Sequence, residues 1–214
     1  MNNQQWSAQL TALVAEQLRR FRKEQDLTVQ DVADACEALG VAVARTTITN
    51  LETGRRASVD LAEFLVLAKV LGVPPISLLY PLGHTPTVVV LPGQEVSAWE
   101  AAAWFTGETP QDAPSPPGSP REILDTFRAH GDAVATALVS MRLAKERRRK
   151  ANASLDAGRD DSLLETAAGY EQLAVEDRRE LIALRTSMRQ RGLTPPGLPT
   201  ELSSAEEPGA TDPG

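Results

Sequence analysis

The sequence predicts an all-α chain: a five-helix N-terminal domain, a linker, and a long C-terminal helical hairpin or coiled coil. Three observations predict it. Apolar residues recur at spacings of three and four through most of the chain, the period of a helix and not of a strand. Hydrophobic residues make up 42 % but aromatic ones only 4 %, and a core of Leu, Val and Ala suits packed helices better than a sandwich or barrel. Glycines and prolines fall between the periodic segments, where helices must stop.

From Trp6 to Glu24, the residues Leu10, Leu13, Val14, Leu18 and Phe21 form one apolar stripe, and Arg19, Arg20, Arg22 and Lys23 lie at the end of that helix. Thr28 is a good N-cap and Asp31 stands at the position that completes a capping box. Val29, Val32, Ala33 and Cys36 then mark a second helix, ended by Gly40. Val43 to Thr53 reads as a third, with Val43, Ile48 and Leu51 inward and Gly54 as its left-handed stop. Ser58 is expected to cap a fourth, where Leu61, Phe64, Leu65, Ala68 and Leu71 face inward. Pro75 opens a short fifth helix.

Beyond Pro81, Thr87–Leu91 is β-branched enough for a short strand, with Pro92-Gly93 as a turn. Ser97 to Phe105 reads as a helix carrying Trp99, Trp104 and Phe105, a packing patch that docks the linker on a partner surface or, alternatively, a peptide or ligand pocket. Five prolines and two glycines in 107–120 read as a linker. Two long helical patterns follow. Ile123, Phe127, His130, Val134, Leu138 and Met141 mark the first, which ends in the basic run Lys145–Lys150. The second spans Asp161 to Gln190, with Asp160-Asp161 at its cap. It carries Leu163, Tyr170, Asp177 and Leu184 seven apart, with Ala167, Ala174, Leu181 and Met188 as the companion series. A hairpin within the chain or a coiled coil between chains would bury that seam. The expected organisation is 1–82, the five-helix domain; 83–120, a short strand, helix and linker; 121–191, the hairpin or dimerisation region; and 192–214, a disordered acidic tail.

The net charge is −7, which speaks against an all-over basic nucleic-acid binder. Its distribution is uneven: residues 85–120 and 192–214 hold eight acidic and no basic residues, so the N-terminal region is near neutral. No run approaches a membrane span, Met1 to Ser7 lacks a signal-peptide layout, and the single Cys36 excludes an internal disulfide. A soluble cytoplasmic protein is expected. His84 and His130 have no partner at metal-ligand spacing, and no glycine-rich phosphate loop or nucleophile motif occurs. Neither an enzyme, nor a metal, nor a cofactor is expected. The basic run 145–150 reads either as a solvated helix end or as a second phosphate contact.

On the third helix, Ile48 and Leu51 would pack inward and leave Arg45, Thr46, Thr47, Thr49 and Asn50 outside. Such a face suits base edges in a major groove, since Arg pairs with guanine, Asn with adenine, and threonine methyls touch thymine. Thr28, Gln30, Arg55 and Arg56 sit at helix ends, where phosphates would lie.

Two stretches carry a family resemblance. Leu27-Thr28-Val29-Gln30-Asp31-Val32-Ala33 looks like the opening of a first motif helix. Val43 to Gly54 ends in Glu52-Thr53-Gly54, and Gly72-Val73-Pro74 and Leu78-Leu79 follow at the flank. Together they resemble the helix-turn-helix of the phage-repressor-like (XRE/Cro) regulators, actinobacterial type, over about 75 residues. The resemblance implies a lambda-repressor-like fold and sequence-specific binding of double-stranded DNA, in the first place by a repressor dimerised through residues 121–191 on a palindromic operator. A protein-interaction adaptor, or an antitoxin or phage immunity factor with a protein partner, are the alternatives. One departure stands out: Ala33 and Ile48 are fifteen residues apart where the family has about ten, so the segment Glu37–Ala42 must lengthen the first motif helix or the turn.

Overall fold

The computed structural model describes residues 3–156 and 162–205. It is mostly helical, with two compact units, Met1–Gln111 and Asp112–Gly214.

In the first unit, α1 (Asn3–Glu24), α2 (Val29–Ala38), α3 (Arg45–Glu52), α4 (Leu61–Val70) and α5 (Ile76–Leu79) surround one core. Leu18, Val32, Cys36, Ile48, Leu51, Leu67, Leu71 and Leu78 are all but inaccessible within it. Most of these are the inward positions of the helical stripes, so periodicity converts into burial. On α4, however, Leu61 and Leu65, expected inward, are exposed, because the row Phe64, Leu67, Ala68 and Leu71 is the one turned to the core. Thr28 caps α2 through a full capping box with Asp31. The cap of α4 is not Ser58, as the sequence suggested, but Asp60, whose carboxylate accepts from the Ala62 N–H while Glu63 closes the box. Two candidate caps stood two residues apart, and the one with an acid three positions on won.

The extra residues between α2 and α3 go into the turn. At the end of α2, Gly40 adopts φ +81°. The Gly40 and Val41 N–H groups donate to Glu37 and Cys36 carbonyls, the paired bonds of a Schellman stop. The chain then runs outside helix from Leu39 to Ala44, pinned by the buried Val43. The third helix is thereby two residues shorter at its start than the Val43 boundary expected.

Residues 83–111 belong to this unit and are not a loose connection. The strands β1 (Thr87–Leu91) and β2 (Gln94–Ser97) pair antiparallel across the Pro92-Gly93 turn, with Val88 opposite Val96. Ser97 caps α6 (Ala98–Thr106). Val88, Ala98, Ala101 and Ala102 pack with Tyr80 against Leu13, Ile76 and Leu79, and the Trp6 indole donates to the Val89 carbonyl at 3.3 Å. The expected boundary at 82 moves to 111 for that reason. An isolated hairpin would not be stable alone. Its apolar face finds the outer side of α1 and α5.

In the second unit, α7 (Pro120–Asp156) and α8 (Ser162–Gln190) lie antiparallel. Cross-links set the direction: Arg191 with Glu122 at 2.5 Å, Arg185 with His130 at 2.8 Å, and Arg148 with Glu171. The seam is made of small residues seven apart, Ala137, Ala144 and Ala151 on α7, against Ala167, Ala174, Leu181 and Met188 on α8, all buried. So the heptad pattern closes within one chain as a hairpin. Residues expected in a disordered tail from 192 onward are instead ordered as far as 205. Leu202, in a 3₁₀ turn (Thr200–Ala205), is buried with Ala137 and Leu181, and Leu198 packs beside them. The Arg185 guanidinium donates to the Pro196 carbonyl at 2.6 Å. Composition alone pointed to disorder, but two leucines and one arginine bond hold the segment down. The expected tail from 206 onward, and the cap at Asp160-Asp161, lie outside the described residues.

Candidate nucleic-acid interface

The α3 helix is fixed from three sides. Ile48 and Leu51 are fully buried beneath it. Gly54, at φ +71°, turns the chain at its end, with the Gly54 and Arg55 N–H groups donating to Leu51 and Asn50 carbonyls. The third constraint is electrostatic. The Arg22 guanidinium forks onto Glu52 with two bonds of 2.7 Å and also donates to the Leu27 carbonyl at 2.8 Å. The two side chains are only 12 % and 7 % exposed, and bidentate pairing of this kind fixes orientation as well as energy. The Arg22 pKa is raised, chiefly by its hydrogen bonds to Glu52. Arg22 therefore ties the end of α1 and the following turn to the end of α3. In the sequence it is one of four cations at the end of a helix. The signal that could have separated it was the acid of the Glu52-Thr53-Gly54 stop, for which a buried acid needs a partner.

With that side fixed, the opposite side of α3 is presented to solvent, but unequally. Arg45 and Thr46, in the first turn, are exposed; Thr47, Thr49 and Asn50 are half-buried. The N-cap, Ala44, offers no side-chain acceptor; its carbonyl accepts from the Thr47 N–H at 2.8 Å, and the start of the helix carries positive partial charge beside Arg45. Among the described residues Arg45 and Arg55 form no ion pair.

The residues expected at phosphates divide in the same way. The Thr28 hydroxyl accepts from the Asp31 N–H at 3.1 Å, and hydrogen bonding from Thr28 to the Asp31 carboxylate, by the side chain first and by the backbone N–H second, holds that carboxyl below its usual pKa. Gln30 donates to Asp34 at 2.7 Å. Arg56 is paired with Glu63 at 2.6 Å, which leaves Arg55 as the exposed cation of that loop. Gln30 and Arg45 line one shallow groove between α2 and the turn before α3, about 250 Å³, and so stand together. Asp34 and Glu37 line it too, and their charge opposes a phosphate.

In the second unit the basic run is largely engaged internally. Arg148 pairs with Glu171, Lys150 with Glu146, and the Arg147 guanidinium lies 5.2 Å from the Tyr170 ring centre. His84 meets Arg20 at 2.7 Å, and His130 is buried against Arg185. Cys36 is buried in the core, and burial raises its pKa. The described residues hold no group of three or more His, Cys, Asp or Glu placed to bind a metal. None of the described helices is long and apolar enough to cross a membrane.

Residues 13–78 match a protein-family model described as a helix-turn-helix domain. The match covers α2, α3 and α4 with most of α1, under a third of the chain. No curated protein and no solved structure matched the chain. The N-terminal unit thus carries a helix-turn-helix domain, a fold of DNA-binding regulators, followed by a long antiparallel helix pair.

Proposed function

We propose that this protein is a sequence-specific DNA-binding transcriptional regulator, acting as a repressor of the phage-repressor-like type on a palindromic operator. One observation carries the reading. Within the helix-turn-helix match, Ile48, Leu51 and the Arg22–Glu52 pair hold one side of α3, and the other side offers Arg45 and Thr46 to solvent. Arg45, Thr46, Thr47, Thr49 and Asn50 would read base edges, and Thr28, Gln30, Arg55 and Arg56 would meet phosphates. In this reading the more exposed Arg45 and Thr46 carry the main burden for bases and Arg55 for phosphate. Arg56 would have to leave Glu63 to contribute.

A dimer would compensate for the near-neutral domain, since two weak half-site contacts in one molecule gain through effective concentration. The heptad seam is consumed inside the chain, so dimerisation through residues 121–191 must use the outer surface of the helix pair. There Val139, Leu143 and Leu173 line an apolar groove of about 340 Å³, and Val139 and Leu173 are exposed.

Selection of bound sites from a random DNA pool by the full chain tests the reading. An inverted repeat with half-sites about one helical turn apart is the expected result; no enrichment would overturn it. Asp34 and Glu37 beside α3 favour one other reading, a protein-interaction adaptor on the same fold. Binding that weakens steeply with salt separates DNA contact from that alternative.

A further inference from the structure

The first unit carries an apolar pocket open to solvent on one side. It lies between α1, the loop from α3 to α4, the start of α4, and the end of α6, with a volume of about 290 Å³. Its walls are Leu10, Val14, Val59, Phe64 and Leu79. At its edge stand Leu61, 70 % exposed, and Phe105, 54 % exposed. Phe105 is braced edge-on against Tyr80, ring centres 6.0 Å apart. The remaining lining residues are Ser7, Thr11 and Ser58, so the cavity offers hydroxyls but no charge.

We propose that this cavity is the binding site of a small uncharged apolar molecule, an alkyl or aromatic compound with a single hydroxyl-type polar group. Size follows from volume. A cavity of about 150 Å³ holds one benzene ring, so this one accommodates on the order of ten to twelve non-hydrogen atoms. Chemistry follows from the walls: a charged ligand would lose hydration with no opposite charge to meet it, whereas an apolar one covers Leu61 and Phe105. One polar group can meet Ser7 or Ser58, both exposed. The Thr11 hydroxyl is already shared between the Ser7 and Ala57 carbonyls, at 2.9 and 3.1 Å.

That last bond gives the site a reach beyond its own walls. It ties α1 to the loop that carries Arg55 and Arg56, and Val59 of the same loop lines the cavity. A ligand there contacts the loop directly. The site itself does not depend on what α3 binds; an effect of the ligand on DNA affinity would rest on the proposed function.

The experiment titrates full-length protein with 2-naphthol, which is neutral at pH 7, has eleven non-hydrogen atoms and one hydroxyl, and absorbs to the red of tryptophan, so that it can be excited selectively. Saturable one-to-one binding is expected, with amide shifts in nuclear magnetic resonance spectra concentrated at Val59, Leu61, Phe64 and Phe105. Val59→Phe, which fills the cavity, should weaken binding at least tenfold. Leu10→Trp fills it from α1 and serves if the first variant loses its cooperative melt. Absence of saturation up to the solubility limit, or unchanged binding in a folded cavity-filled variant, overturns the proposal. So does a concentration-dependent dimer that Leu61→Asp abolishes, because a second copy would then be the occupant.

Discussion

The two units use the same element, an amphipathic helix, to opposite ends. In Met1–Gln111 short helices converge on large aliphatic side chains such as Leu18, Ile48, Leu67 and Leu71, and glycine stops set their directions. In Asp112–Gly214 two long helices lie side by side on a line of alanines, and ionic links tie their flanks. The first core is filled by bulk and the second by closeness. Both units spend cations on their own acids, Arg148, Lys150 and Arg191 in the helix pair and Arg22 and Arg56 in the first unit; among the described residues Arg45 and Arg55, beside the presented face of α3, form no ion pair. A helix that must be placed at an angle to present a face needs a deep core behind it. A helix that only braces another needs small residues and length.

That contrast is broken most severely by opposite substitutions. Leu18→Ala should cost the first unit about 3–4 kcal/mol by opening a cavity. All three tryptophans, Trp6, Trp99 and Trp104, lie in this unit, so urea unfolding followed by their fluorescence reads it alone. Glu52→Ala should cost about 3 kcal/mol on the same signal, because it leaves the Arg22 guanidinium largely buried without its carboxylate. In the second unit the damaging change is an enlargement. Ala137→Leu, against the buried Leu181 and Leu202, should cost about 2 kcal/mol by overpacking. It should lower the stability of the helix pair, followed by circular dichroism, without moving the tryptophan transition. A Leu18→Ala variant as stable as wild type would show that the first core is not filled by bulk.

A smaller effect separates the units by pH. His130 is buried, and burial first, with the Arg185 charge second, lowers its pKa from the ordinary 6.5. Below about pH 6.5 the unfolded chain takes up a proton that the folded one refuses, so stability falls as pH drops toward the folded pKa. The carboxyls of Glu122 and Asp125 are held below their ordinary range, Glu122 first by its bond from the Gly118 N–H and Asp125 first by Arg121. His130 is therefore the group whose removal tests the loss in that window. His130→Gln should flatten the pH dependence of the helix pair in a denaturant series; an unaltered slope would assign it elsewhere.

What the sequence made legible follows from the same contrast. The first core was readable because its stripes follow one period and its stops are glycines; Leu18, Val32, Ile48, Leu51, Phe64 and Leu71 all lie where periodicity put them. The heptad on α8 was readable too. Its partner line, Ala137, Ala144 and Ala151, was not, because alanines carry no hydrophobic contrast against their neighbours. Whether the seam closed within or between chains depended on that line. The order of residues 193–205 rests on Leu198, Leu202 and the Arg185 bond to the Pro196 carbonyl, few anchors in a segment rich in proline and polar residues. In the candidate site, the residue types on α3 were legible, but their unequal exposure was not. Nor were the engagements of Arg22 with Glu52 and of Arg56 with Glu63, since both pairs join residues from different elements.

The smallest effect on stability is expected where the largest effect on function lies. Arg55 is exposed and sits just beyond the glycine stop of α3. Replacing it with Ala removes neither a buried contact nor an ion pair, so unfolding should shift by no more than about 0.5 kcal/mol. If the loop lies on a phosphate, the same variant loses one counterion-releasing contact, and the slope of log affinity against log salt falls by about one. Arg45→Ala should be as quiet in unfolding but act differently in binding, costing about 1–3 kcal/mol on the selected sequence and relaxing preference at one base pair. Arg56→Ala is the internal control, since it should lose the Glu63 pair with little change in salt slope. Salt titrations of the three variants on one selected duplex thus sort presented charge from spent charge. Equal slopes for Arg55→Ala and wild type would place Arg55 off the phosphate backbone.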